Sequence, residues 1–229
     1  MSGKNEGSCG PAIIIMAKAP LAGLVKTRLA GILAPGEIAE LAACFIADTV
    51  SGAKQTGLPV FLAYSPEGGK SAIEPIAGGD VRWVCQQGAD LGARILSAFS
   101  HAAGQGFTPL VMVGTDSPNL PLASYQAALD ALRHGGADTV LGRSDDGGYY
   151  LIGVKSPCPA LLADVSWSGP TVYDQTMENA ARLGLRVRGI EPWYDVDTPE
   201  DLRRLRQDLL GDPAGMARAP ATCRWLRSR

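Results

Sequence analysis

Histidine is nearly absent from this chain: His101 and His134 are the two it has among 229 residues. Each falls near an expected helix end with no serine or cysteine motif beside it, so surface or capping roles outweigh a catalytic triad. Cysteine pairs are missing too. Cys9, Cys44, Cys85, Cys158 and Cys223 are scattered and form no Cys-x-x-Cys spacing, which argues against a zinc site or a disulfide framework. No apolar run approaches the roughly 20 residues that cross a bilayer. The short run Ile13-Ile14-Ile15-Met16 is soon followed by Lys18 and lacks the length of a signal-peptide core, so a cytoplasmic location is expected. Charge of one sign is lacking as well. A formal net charge of −2 supplies no bulk attraction to nucleic acid or to an anionic membrane. Finally, no Pro/Gly/Ser linker interrupts the middle of a chain that is 46% hydrophobic. One domain over 11–210 is expected, with a flexible N-terminus at 1–10 and a loose Pro-, Gly- and Arg-rich tail at 211–229.

What the chain does have is alternation. Residues 12–17 form a branched apolar run suited to a buried strand. Helical spacing follows over 36–55, where Ile38, Leu41, Ala42, Phe45, Ile46 and Thr49 share a face. Further strands are expected at 59–64, 81–85, 110–114, 139–141, 149–154 and 185–190. Asp90 is a natural N-cap for a helix to about 103. A helix over 122–132 is stopped by Gly135-Gly136, and one over 170–183 by Gly184. Thr198-Pro199-Glu200-Asp201 opens the last helix, with Thr198 as cap, Pro199 at the first position and an acid three residues after the cap. The pattern predicts a single-domain, three-layer α/β/α sandwich around a mainly parallel sheet. Ligands of such sheets bind beyond the carboxyl ends of the strands.

Two marked segments fall there. After the first strand runs Lys18-Ala19-Pro20-Leu21-Ala22-Gly23-Leu24-Val25-Lys26-Thr27-Arg28, with three cations and no acid. Gly23 permits close backbone approach, and lysine and arginine together suit phosphate oxygens. Lys18, Gly23, Lys26, Thr27 and Arg28 are therefore the candidate phosphate-binding residues, against the plain alternative of a solvated turn. A P-loop is disfavoured, because Val25 precedes Lys26-Thr27 where glycine is required. After the strand at 110–114 comes Gly114-Thr115-Asp116-Ser117-Pro118. Asp116 at the sheet rim is a hard oxygen ligand of the kind Mg²⁺ or Mn²⁺ takes alongside substrate phosphates, or else it closes an Asp-Ser-Pro turn.

Two acidic segments complete the inventory. Asp195 and Asp197 lie two apart and face one side of an extended segment. One of them is a candidate second metal ligand, and the alternative is support of the following helix start. Asp145-Asp146-Gly147-Gly148-Tyr149-Tyr150 joins acids, bare backbone and aromatics, a composition suited to a polar acceptor; a plain hairpin turn is the other reading.

Taken in order, strand, Ala-Lys-Ala-Pro-x-x-Gly-x-Val-Lys-Thr-Arg-Leu, Asp90-Leu91-Gly92-Ala93-Arg94, Gly-Thr-Asp-Ser-Pro, Asp-Gly-Gly-Tyr-Tyr-Leu-Ile-Gly and Asp-Val-Asp-Thr-Pro-Glu-Asp-Leu, these motifs resemble the bacterial glycosyltransferase-like family of unknown function 2064. That family lies in the nucleotide-diphospho-sugar transferase superfamily, with the GT-A fold, and is related to the 2-phospho-L-lactate guanylyltransferases. The resemblance covers 13–209. It implies that Lys18, Gly23, Lys26 and Arg28 hold the nucleotide on a loop poorer in glycine than is usual. It implies that Asp116 binds the metal, completed by Asp197 with Asp195 as its rival. It implies that Asp146, Gly147, Gly148 and Tyr149 face the second substrate, with Asp90 and Arg94 as a phosphate or acceptor contact.

The expected partners are a nucleoside triphosphate or a nucleotide sugar, Mg²⁺ or Mn²⁺, and a small-molecule acceptor. In a nucleotidyl transfer, Lys18, Lys26 and Arg28 stabilise the leaving pyrophosphate while the aspartates hold the metal. Such chemistry demands little acid–base work, in keeping with the scarcity of histidine. In a glycosyl transfer, Asp146 is the candidate base. A non-catalytic nucleotide or sugar sensor is the expectation of another class.

Overall fold

The computed structural model describes residues 9–167 and 169–229. Most of the expected flexible stretch at 1–10 lies outside the described residues. Seven strands form one sheet: β1 (Gly10–Lys18), β2 (Val60–Ser65), β3 (Arg82–Cys85), β4 (Phe107–Gly114), β5 (Thr139–Ser144), β6 (Tyr149–Val154) and β7 (Val187–Trp193), in the spatial order β3-β2-β1-β4-β6-β5-β7. All pairings are parallel except those of β6, which runs antiparallel to both β4 and β5. β5 and β6 are consecutive, so the plain hairpin reading of 145–148 holds at the level of the backbone.

Alternation along β1 creates the layers. Ile13, Ile15 and Ala17 enter one core with α1 (Pro35–Lys54), α2 (Lys70–Ala77) and α4 (Leu122–Arg133). Ala12 and Ile14 enter the other with α3 (Leu91–Gly104) and α5 (Val172–Arg182). Successive strand residues point to opposite faces, and both faces are covered, as the apolar run predicts. The helix starts follow local chemistry. Asp90 accepts from Ala93 N at 2.8 Å. Thr198 and Asp201 cap α6 (Pro199–Leu210) reciprocally, the arrangement legible in their spacing. α2 was not expected. Its eight residues, about two turns, carry Pro75, and only Ile73 and Ala77 are buried, too little periodicity to read.

The expected loose tail is ordered instead. α7 (Pro213–Arg218) and α8 (Pro220–Arg227) fold back on the chain, and Cys223, Trp225 and Leu226 join a third core with Leu41 and Phe45 of α1 and Leu205 and Leu209 of α6. The N-terminus of α8 is capped from α1: Asp48, 2% exposed, accepts from Ala221 N at 2.9 Å and Thr222 N at 2.8 Å. No local pattern reveals a cap that lies 173 residues away. Burial pushes the Asp48 carboxyl above its usual range, against the hydrogen bonds and the charge of Arg224, which lower it. Asp48→Ala leaves the part-buried Ala221 amide and the buried Thr222 amide without this acceptor, a loss of about 1–3 kcal/mol. The expected result is a melting temperature lower by about 3–10 °C, measured by thermal unfolding.

Candidate active site

The site sits where strand order reverses. β1 leads to β2 on one side and has β4 on the other, so the carboxyl ends of β1 and β4 flank the crevice that open α/β sheets use. Met16 pairs with Gly114, so Lys18, the last residue of β1, and Asp116, two residues beyond the end of β4, emerge at the same end of the sheet. A cleft of about 530 Å³ opens between them, lined among others by Lys18, Lys26, Thr27, Arg28, Arg94 and Asp116, with Asp195 and Asp197.

The basic loop is tied down at both ends. Ala19 N bonds Ser65 O at 2.7 Å, and Leu24 N bonds Leu21 O at 3.0 Å across a turn in which Gly23 has φ +78°. Val25 and Leu29 insert into the third core. Lys26 lies between these anchors, in the left-handed region at φ 41° and ψ 45°. Its ammonium turns inward, 2.6 Å from Asp116 Oδ1 and 3.3 Å from Asp197 Oδ1. It donates to Val196 O at 2.5 Å and lies 5.1 Å from the centre of the Phe45 ring. Burial opposes the charge on Lys26, but the two carboxylates outweigh it and hold its pKa above the ordinary lysine value.

The other cations in the cleft are free of carboxylates. Among the described residues the side chains of Lys18 and Arg28 make no ion pair or hydrogen bond, and the Arg94 side chain spends only its Nε, on Gly88 O at 3.2 Å. Thr27 lines the cleft beside Arg28, whereas Gly23 shapes the loop without lining it.

The two late aspartates differ. Asp195 accepts from Ser117 Oγ at 2.7 Å on one oxygen and from Ser144 Oγ at 2.6 Å on the other. It thereby joins the turn after β4 to the end of β5. Burial is the largest influence on Asp195 and raises its pKa to about 6; the serine hydrogen bonds oppose this, and the charges of Asp116 and Asp146 add to it. Asp197 instead turns to Lys26, whose ammonium it shares with Asp116. The backbones of these segments are coupled too, since Val196 N donates to Asp116 O at 2.9 Å. Among the described residues no three or more His, Cys, Asp or Glu side chains converge into a metal cage. Two carboxylates converging on one cation do, however, match what Mg²⁺ asks of a protein, one or two carboxylates with phosphate and water completing the shell.

The expected acceptor residues divide. Arg94 and Tyr149 line the cleft. Asp90 is taken up as the N-cap of α3. Asp146 accepts from Gly148 N at 2.9 Å within its own turn. Gly147, at φ +88°, carries no side chain because Pro170 O would lie 1.9 Å from a Cβ, so its bare backbone serves packing. Asp146, Gly147 and Gly148 do not line the cleft. The turn is braced by Asp145, which accepts from Arg204 of α6 at 2.6 Å, and Arg204 lies 3.9 Å over the Tyr194 ring. Tyr149 and Tyr150 face opposite sides as expected: Tyr149 meets Trp167 edge-on at 6.5 Å, and Tyr150 donates to Glu191 O at 2.7 Å.

Sequence reasoning missed four contributors. Gln86 donates to Ala63 O at 2.8 Å and to Ala17 O at 3.3 Å, fixing strand ends at the cleft wall. Ser117 and Ser144 orient Asp195, and Phe45 floors the Lys26 site. The Gly-Thr-Asp-Ser-Pro motif contains Ser117, and Phe45 reads only as part of the apolar helix face; nothing in the sequence marks Gln86 or Ser144.

The fold is that of nucleotide-diphospho-sugar transferase-like α/β proteins. The chain belongs to the family described as "Uncharacterized protein conserved in bacteria (DUF2064)", which matches residues 49–169. It is similar to the crystal structure of a Desulfovibrio desulfuricans G20 protein provisionally named a nucleotide-diphospho-sugar transferase: 32% identity, TM-score 0.85, 95% of this chain and 94% of that one. The fold is shared with CMP:2-keto-3-deoxy-manno-octonic acid synthetase complexed with CTP, at 13% identity and TM-score 0.58 over 88% of this chain and 99% of that one. It is shared as well with Rv0371C from Mycobacterium tuberculosis H37Rv in complex with manganese, at 17% identity and TM-score 0.50 over 86% and 98%. A stretch of 130 residues, 54% of this chain, is 33% identical to the provisionally named inorganic carbon transporter subunit DabA of Dechloromonas aromatica (strain RCB) but spans only 12% of that protein's length. No helix among the described residues is long and apolar enough to cross a membrane.

Proposed function

We propose that this chain is a divalent-cation-dependent nucleotidyltransferase that joins a nucleoside phosphate to a phosphorylated small molecule. The observation that carries the reading is the cleft's charge arrangement: Lys18, Arg28 and Arg94, all without carboxylate partners, line the same cavity as Asp116 and Asp197. Three uncommitted cations exceed what a nucleotide diphosphate sugar needs and suit a triphosphate with a phosphorylated acceptor. The CTP held by the synthetase of like fold, and the manganese held by Rv0371C, agree with such a donor and metal.

In this reaction an acceptor phosphate oxygen forms a bond to the α-phosphorus of the triphosphate, the bond from that phosphorus to the β-bridging oxygen breaks, and pyrophosphate leaves with the electron pair. Lys18 and Arg28 bind the phosphate chain and offset charge on the leaving group. Arg94, across the cleft, meets the acceptor or the donor tail. Asp116 and Asp197 would hold the metal, which when bound polarises phosphoryl oxygens. Asp195 orients the surrounding turns through Ser117 and Ser144. No side chain is asked to act as a strong base, because an acceptor phosphate is already an anion. Glycosyl transfer is less well supported: Asp146, its candidate base, is bound to its own turn and lies outside the cleft lining.

The test is incubation with each nucleoside triphosphate, Mg²⁺ and a pool of phosphorylated metabolites. Pyrophosphate release with at least one triphosphate is expected, and its absence with all of them would sink the nucleotidyl reading.

A further inference from the structure

We propose that Lys26 is a positioning residue rather than a phosphate ligand. Its ammonium is the resident cation of the Asp116–Asp197 pair, and a divalent ion takes those carboxylates only together with a phosphate-bearing ligand that draws Lys26 aside. The proposal rests on the phosphate-handling reading above and adds an order of binding to it.

An ammonium has three N–H donors. Those of Lys26 face three oxygens, on Asp116, Asp197 and Val196, at 2.6, 3.3 and 2.5 Å. None is left for a phosphate. The lysine side chain is 6% exposed, whereas those of Asp116 and Asp197 are 49% and 40% exposed, so the carboxylates keep open faces toward the cleft while the cation lies behind them. A second cation on the same oxygens would sit within a few ångströms of the ammonium, where like charges repel strongly in a partly buried site. Metal and lysine therefore compete. The lysine is also poised to move. Its left-handed backbone is one that non-glycine residues occupy at a cost, and its neighbours Thr27 and Arg28 line the cleft. A phosphate engaging Arg28 pulls on the same turn that holds Lys26 inward, and supplies oxygens for both cations once they separate.

The proposal predicts an unusual sign: deleting the lysine tightens metal binding in the absence of nucleotide. Mn²⁺ binding is to be followed by the electron paramagnetic resonance of the free ion, at constant ionic strength and without nucleotide. The proteins are the unmutated chain, Lys26→Met, Lys26→Gln and, as a charge control from the same cleft, Lys18→Met. Both Lys26 variants are expected to bind Mn²⁺ about tenfold tighter or more, and Lys18→Met to differ from the unmutated chain by less than about threefold, since its more exposed charge is screened. A merely structural lysine would give weaker binding on removal. Affinity that does not rise in the Lys26 variants, or that rises equally in Lys18→Met, overturns the proposal.

A second measurement needs no variant. The buried Lys26 ammonium should give a slowly exchanging ¹⁵Nζ signal that persists in Mg²⁺ alone and disappears when Mg²⁺ and a nucleoside triphosphate are added together. Loss in Mg²⁺ alone, or persistence with both, overturns the exchange. Calorimetric titration of the same triphosphate into the unmutated chain separates the two ideas. If no triphosphate binds, the functional reading fails, while the Mn²⁺ comparison still decides the role of Lys26.

Discussion

Asp116→Asn is expected to lower metal-dependent turnover by about 10²–10³, the scale on which one electrostatic stabiliser of a transferring group is missed. The substitution removes a formal charge and a hard ligand while keeping shape. Asp116 holds Val196 N through its backbone carbonyl, which asparagine retains, and Lys26 keeps Asp197 and Val196 O. The fold should therefore survive, with the melting temperature lowered by no more than about 4 °C. Pyrophosphate release measures the rate, and calorimetric titration with Mg²⁺-nucleotide measures the ligand. A non-catalytic nucleotide sensor would behave differently, because its binding need not involve Asp116. Unchanged Mg²⁺-nucleotide affinity in Asp116→Asn would remove the metal role from this residue.

Gly147→Ala carries the largest expected cost in stability. A Cβ there would stand 1.9 Å from Pro170 O and 2.6 Å from Pro170 C, both backbone atoms that cannot swing away, at a φ of +88°. Left-handed strain contributes about 1–2 kcal/mol and overpacking about 1–3 kcal/mol more. Across a chain of this length the melting temperature should fall by about 5–20 °C. Two other glycines calibrate the result. Gly23→Ala meets open space at φ +78° and bears backbone strain alone. Gly148→Ala meets only the movable Asp146 carboxylate at 3.2 Å. If Gly147→Ala melts no lower than these two, the contact with Pro170 does not hold the turn. The damage would reach the cleft as well: Ser144, at the other end of this turn, is half of the support of Asp195.

These two residues show what kind of information the chain makes visible. Asp116 was legible because a polar motif follows an apolar strand, and the carboxyl ends of parallel strands are where ligands bind. Gly147 was legible as a turn residue, but the purpose of its missing side chain was not. The sequence suggests an open platform for an acceptor, whereas the glycine admits the backbone at Pro170 and lies beside the cleft. Lys26 is the sharper case. Read along the loop it is one of three equivalent cations, yet in the fold it alone turns inward, and Arg94 of α3 supplies the third uncommitted cation in its place.

The sequence by itself determined the alternating strands and helices, the two-sided burial of the sheet, the caps at Asp90 and Thr198, and the end of the sheet at which the basic loop and Asp116 emerge. All of these follow from hydrophobic period and from hydrogen bonds spanning three or four residues. Tertiary structure alone decided which charge meets which. Lys26 and Asp197 are 171 residues apart, Ser144 and Asp195 are 51 apart, and Asp48 reaches 173 residues to cap α8. Such pairings depend on strand order and on how distant elements pack together, and they are fixed by apolar faces that carry none of these polar groups. That is why the place of the basic loop at the carboxyl end of β1 could be anticipated, while the inward pairing of Lys26 with Asp116 and Asp197 could not.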